Sequence, residues 1–124
     1  MPANRKNQLA PQNAKPKNHP NQAYTYVLRF ADSDCYKIGR TIDLNRRLSE
    51  INAHIPIEIL GEEKSWRQYF SHAWEDEDCE QLAHDCENYL RNLLLEDHRT
   101  YGERVKCDKS KMKWAWNKAI RQTS

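Results

Sequence analysis

The sequence predicts an α+β domain: a small three-stranded antiparallel sheet flanked by helices, in the order β-β-α-β-α-α. Three observations lead there. Two aromatic and β-branched runs, Ala23–Phe30 and Cys35–Thr41, bracket the turn-forming Asp32-Ser33-Asp34. Apolar residues at helical spacing follow in three later stretches. Only three strand-like segments stand out, too few to close a barrel.

Taken in order, the first two runs form a β-hairpin. If its loop is even and centred on Ala31 and Asp32, Tyr26 and Lys37 become cross-strand partners on one face. Asp43 can cap a helix over 44–53, where Leu44, Leu48 and Ile51 follow an i, i+4, i+7 stripe and Arg46 and Arg47 lie off it. Pro56 closes that region, and Ile55, Ile57 and Ile59 alternate as a third strand should. A long helix over 75–96 has acids in its first turn, where the helix dipole favours them. Its apolar stripe is Leu82, Cys86, Tyr89, Leu90, Leu93 and Leu94. Arg99–Glu103 reads as a turn, and a last helix over Lys111–Arg121 is expected to bury Trp114, with Ala115 and Ile120 beside it.

A chain of 124 residues and 14.8 kDa fits one domain, expected over 23–124. Residues 1–22 carry Arg5, Lys6, Lys15 and Lys17 without an acid and are crowded with Asn, Gln and Pro, the composition of a disordered basic arm. A mean hydropathy of −1.06 and the lack of any ~20-residue apolar run exclude a membrane span. With no apolar segment after Met1, an intracellular place, cytoplasmic or nuclear, is expected. Cys35, Cys79, Cys86 and Cys107 contain no Cys-x-x-Cys pair, which argues against a zinc ribbon or a disulfide framework and for reduced thiols. Charge is unevenly placed. Glu75–Glu87 holds seven acids and no Lys or Arg, whereas Arg99–Arg121 holds eight Lys or Arg against two acids. Such polarity suits a polyanionic partner better than the net charge of +2 suggests.

The hairpin also carries a motif. Tyr24-Thr-Tyr26, ten intervening residues, Lys37-Ile-Gly39, and Arg47 eight positions beyond the glycine together resemble the core of the GIY-YIG nuclease superfamily. Tyr-Lys-Ile-Gly-Arg-Thr followed by Arg-Arg-Leu is similar to a phage-associated branch in which lysine replaces the second motif's tyrosine. Cys-Glu87-Asn-Tyr-Leu-Arg and Arg99-Thr-Tyr-Gly-Glu103-Arg resemble that branch's late helix and its Gly-Glu turn. The likeness spans roughly 23–107. It implies a DNA endonuclease leaving 5′-phosphate and 3′-hydroxyl ends. Tyr26 would match the first motif's tyrosine, Gly39 the second motif's glycine, Arg47 the catalytic arginine and Glu87 the metal ligand. Two departures stand out: Tyr24 replaces the glycine that gives the first motif its name, and Lys37 replaces a tyrosine.

The residue types suit that chemistry. Phosphodiester hydrolysis needs an in-line nucleophile, charge neutralisation on the nonbridging oxygens and stabilisation of the leaving 3′-oxygen. One divalent ion, Mg²⁺ or Mn²⁺, could serve the last need, and one hard carboxylate such as Glu87 is enough to hold it with water. Arg47 offers a permanently charged fork for two phosphate oxygens. Tyr26 would orient or deprotonate the water, and Lys37 would favour its phenolate or grip the scissile phosphate. Arg40, Arg46, Lys111 and Lys113 are the expected DNA-contacting cations. Glu80, His84 and Glu87 also stand at metal-binding helical spacing. The four tryptophans are expected in the core or a dimer contact; an exposed Trp116 beside Lys113 and Lys118 would instead suit base stacking. A catalytically inactive nuclease-like DNA-binding module is the alternative, a protein-interaction domain a third reading, and a homodimer or partner protein would supply target selection.

Overall fold

The computed structural model describes residues 21–56, 65–95, 100–101 and 104–124. Along the chain run β1 (Ala23–Phe30), β2 (Cys35–Thr41), α1 (Leu44–Asn52), β3 (Trp66–Trp74), α2 (Cys79–Leu95), β4 (Thr100–Tyr101), β5 (Arg104–Lys106) and α3 (Lys109–Thr123). The α+β class and the hairpin opening match the expectation, while the sheet is larger. Its order is β3-β1-β2-β5-β4, with every neighbouring pair antiparallel.

The third strand is Trp66–Trp74 rather than 55–59. Ile55 and Pro56 lie outside any strand, and 57–59 fall outside the described residues. β3 pairs with the full length of β1, but a bulge intervenes: Val27 faces Phe70 and Leu28 faces Gln68, leaving Tyr69 as the extra residue. The consecutive Tyr69 and Phe70 can then both pack on one core, which erases the period-2 pattern that would have announced a strand. The segment read as a turn after α2 holds the short strands β4 and β5, and Gly102 and Glu103 between them lie outside the described residues.

Two apolar cores sit on the two faces of the sheet. Val27, Tyr36 and Ile38 face α2 and α3, joined by Ala83, Cys86, Leu90, Leu94, Met112 and Trp116. Buried Thr25 is satisfied there, donating to Ala83 O and accepting from Trp74 Nε1, each at 3.0 Å. On the other face Tyr26 and Leu28 pack with Ile51, Trp66 and the half-buried Leu44 and Leu48 of α1.

Helix boundaries follow their caps. Asp43 Oδ1 accepts from Arg46 N at 3.1 Å, as expected, and fixes the start of α1. α2 begins at Cys79, four residues later than expected, because the acids 75–78 form the turn that precedes it. Asp108 caps α3 through Lys111 N at 2.8 Å. The buried stripe of α3 is Met112, Ala115, Trp116 and Ala119. Trp116 is the core tryptophan of this helix, stacked on Phe70 with ring centres 5.3 Å apart, whereas Trp114, expected inside, is 44% exposed. Of the basic arm, only Asn21 and Gln22 lie within the described residues.

Candidate functional site

The hairpin register builds the centre of the site. The loop Ala31–Asp34 has four residues, Ala31 taking a positive φ of 51°. It is tied by Ser33 N to Phe30 O at 3.0 Å. An even loop centred between Asp32 and Ser33 pairs Tyr26 with Gly39 and Leu28 with Lys37. The expected direct pairing of Tyr26 with Lys37 is therefore displaced by two residues. The two still share a face, as diagonal neighbours, because the shift is even. The Tyr26 ring lies across Gly39: a Cβ at that glycine would stand 2.6 Å from Tyr26 Cζ. The missing side chain is what lets the phenol lie flat over β2.

Off the apolar stripe of α1, as its spacing foretold, Arg47 reaches the same place. Its Nε donates to Tyr26 Oη at a long 3.4 Å, and its Nη1 is 3.7 Å from Glu50 Oε1. The Arg47 side chain remains 37% exposed, so the guanidinium links the buried phenol to solvent. Lys37 points to the same face, with Nζ 5.3 Å from the centre of the Trp66 ring. Trp66 is in turn locked to the end of α1 by paired bonds with Asn52, 2.8 and 3.0 Å.

Glu87 belongs to the opposite face. Arg40, adjacent to Gly39, points toward α2, and its Nη1 donates to Glu87 Oε1 at 2.6 Å. Arg91 donates through Nη2 to Glu87 Oε2 at 3.0 Å and to Ile38 O at 2.8 Å. That second bond carries Arg91 to the backbone of β2. Strand β5 pairs only with Cys35, Tyr36 and Lys37. Beyond them, among the described residues, no strand covers the outer edge of β2, and Arg91 reaches the edge carbonyl instead. The structure thus brings Tyr26, Gly39 and Arg47 together, with Lys37 on their face. It gathers Arg40, Glu87 and Arg91 behind the same stretch of β2.

Sequence reasoning missed Arg91, whose signal was its i, i+4 spacing from Glu87. The Glu80, His84, Glu87 stripe does not assemble: His84 Nε2 meets Asn88 Nδ2 at 3.1 Å, while Glu87 is claimed by arginines. Among the described residues no three His, Cys, Asp or Glu side chains group as metal ligands. A cation would therefore rest on Glu87 with water and phosphate oxygens. The donor chemistry fits, since a carboxylate has lone pairs to spare and Arg40, with a side chain 47% exposed, can swing away from Oε1. Among the expected DNA contacts, Arg46 is exposed and bonded to Glu50 at 3.1 Å, Lys113 is exposed, and Lys111 lies against Trp114.

A protein-family model, the T5orf172 domain, matches residues 23–118, from the first residue of β1 into α3. The chain belongs to the T5orf172 domain family. That domain occurs in phage-associated and nuclease-like proteins, and its match encloses Tyr26, Lys37, Gly39, Arg47 and Glu87. Neither the curated proteins nor the solved structures searched contained a match. No helix among the described residues is long and apolar enough to cross a membrane.

Proposed function

We propose that this T5orf172 chain is a GIY-YIG-type, metal-dependent DNA endonuclease whose reaction centre lies at the edge of β2 that no strand covers among the described residues. The observation that carries the reading is the Tyr26 hydroxyl, laid over Gly39 and bonded to the Arg47 guanidinium. The Arg47 side chain beside this buried phenol is partly exposed, so a phosphate can reach it. Arg47 grips two nonbridging oxygens of the scissile phosphate and neutralises their charge, a bidentate hold that lysine does not reproduce. Tyr26 orients the attacking water in line. Lys37, on the same face, adds a second cation to the phosphate. Glu87 would hold one Mg²⁺ or Mn²⁺, which supplies stabilisation of the leaving 3′-oxygen. Products then carry 5′-phosphate and 3′-hydroxyl ends.

The test is cleavage of supercoiled and branched DNA with Mg²⁺ by the wild type, Arg47→Ala and Glu87→Gln, each checked for folding by circular dichroism. Both variants are expected to lose at least 100-fold in rate, the size of effect seen when one charge-stabilising group is removed. Equal cleavage by all three would refute the assignment. A second reading, an inactive DNA-binding module, draws on the closure of Glu87 by Arg40 and Arg91. It predicts salt-sensitive DNA binding without any Mg²⁺-dependent product.

A further inference from the structure

Helix α3 carries Lys109, Lys111, Lys113, Lys118 and Arg121 and no acid. Its packing duties fall to Met112, Ala115, Trp116 and Ala119. Trp114 is therefore surplus to the core. It is 44% exposed, against 9%, 6% and 7% for Trp66, Trp74 and Trp116. Two ammonium groups attend its ring: Lys111 Nζ at 4.5 Å and Lys118 Nζ at 5.4 Å from the centre. These residues stand at i−3 and i+4 from the tryptophan, one helical turn to either side. A half-exposed indole attended by two cations offers a flat apolar ring with positive flanks.

We propose that Trp114, with Lys111 and Lys118, is a stacking site for an unpaired base of single-stranded DNA, separate from the Tyr26–Arg47 centre. The site lies on α3, which packs with α2 on the face of the sheet opposite α1. Charge complementarity names the occupant: a polyanion answers five cations, and an aromatic ring among them answers a base. Exposed cation–π contacts are worth about 0.5–1 kcal/mol, and base stacking on an aromatic about 1–3 kcal/mol. A base can therefore displace Lys118 from the ring, and that ammonium can then meet a flanking phosphate. Bases inside a duplex already have both faces stacked, so the site selects frayed, looped or single-stranded DNA. This inference rests on nucleic acid being the partner in the reading above, but not on hydrolysis.

The experiment measures binding of a fluorescein-labelled oligothymidine of about 12 nucleotides by anisotropy. The full chain is used at low salt with EDTA, which halts cleavage. Trp114→Ala is expected to weaken binding about tenfold, the equivalent of one lost stack, and Trp114→Phe about threefold or less. A duplex of equal length should respond less than twofold. Arg47→Ala, by contrast, should abolish cleavage, and adding Trp114→Ala to it should weaken oligothymidine binding by the same tenfold. If Trp114→Ala binds the oligomer as wild type does, the stacking site is refuted even where Arg47→Ala has lost cleavage. Quenching of tryptophan fluorescence by heparin to the same extent as by the oligomer would also overturn it, since heparin has charge without bases. If Arg47→Ala cleaves normally and Trp114→Ala still loses affinity, the hydrolytic reading falls and the stacking site stands.

Discussion

At Gly39 the site depends on an atom that is not there. A methyl group on that residue would press on the Tyr26 hydroxyl and stand 2.6 Å from Cζ, against an aromatic ring that is itself 1% exposed. The ring has no room to retreat, so Gly39→Ala should cost about 1–3 kcal/mol by overpacking and should pull the phenol from Arg47. Urea unfolding together with plasmid cleavage checks both: stability falls modestly, cleavage by far more. Across the strand, Arg40 and a divalent cation would compete for one carboxylate oxygen. A unit charge ~8 Å from a divalent cation costs about 4 kcal/mol at an effective dielectric near 20 and about 1 kcal/mol at that of water, and the half-exposed Arg40 side chain falls nearer the second. Arg40→Ala should therefore tighten Mn²⁺ binding about fivefold or more, read by water-proton relaxation without any substrate present. Unchanged Mn²⁺ affinity would mean that Glu87 is an ion-pair anchor for Arg40 and Arg91 and nothing more.

Between elements, the junction of β5 and α3 stores a titratable group. Burial pushes the Cys107 thiol from 9.0 up to about 11, with Asp108 and Asp34 adding to the rise and Lys111 opposing it. Cys107 N is also bonded to Asp34 O at 3.1 Å, so the thiol sits where the hairpin loop, β5 and α3 converge. A raised pKa means that the folded chain keeps a proton the unfolded chain has lost. The associated stability is present below pH 9 and disappears as pH climbs through about 11. About 2–3 kcal/mol should go over that interval, and Cys107→Ala should flatten the loss. Tyr36, raised to about 12 mainly by burial and against the pull of Arg29, extends the decline to still higher pH. Thermal melts at pH 8, 9.5 and 11 on wild type and variant provide the measurement.

For the molecule as a whole, the sheet acts as a partition. Its α1 face carries the tyrosine and arginine, its α2 and α3 face the glutamate cluster and the basic helix, and Arg91 reaches from the second to the edge of β2 that no strand covers among the described residues. The same layering decides thiol chemistry. No disulfide joins the four cysteines; Cys35 is half-buried and Cys79, Cys86 and Cys107 are buried. Native protein treated with a thiol-specific disulfide reagent at pH 8 should therefore release about one equivalent quickly, from Cys35, and the other three only on unfolding. Burial also raises the pKa of Cys86, which adds to its inertness. Fast reaction of all four would show that the α2 and α3 layer opens readily.

Local chemistry alone was enough for the hairpin, for the Asp43 cap and for the apolar stripe of α1, because each depends on neighbours within a few positions: turn residues, a carboxylate, a spacing of four. The Tyr26, Gly39, Arg47 spacing belongs with them, since two paired strands and one short helix bring those residues together. Strand β3 did not announce itself, for its bulge puts Tyr69 and Phe70 on one core and only its long partner β1 holds it extended. Trp114 and Trp116 could not be told apart by composition; the register of α3 against Phe70 chose between them. Nor could spacing say that Glu87 would stand behind β2 rather than beside Arg47. That outcome follows from strand alternation, which sends Gly39 and Arg40 to opposite faces, and from the carbonyl of Ile38, which draws Arg91 and its carboxylate partner to the edge of β2.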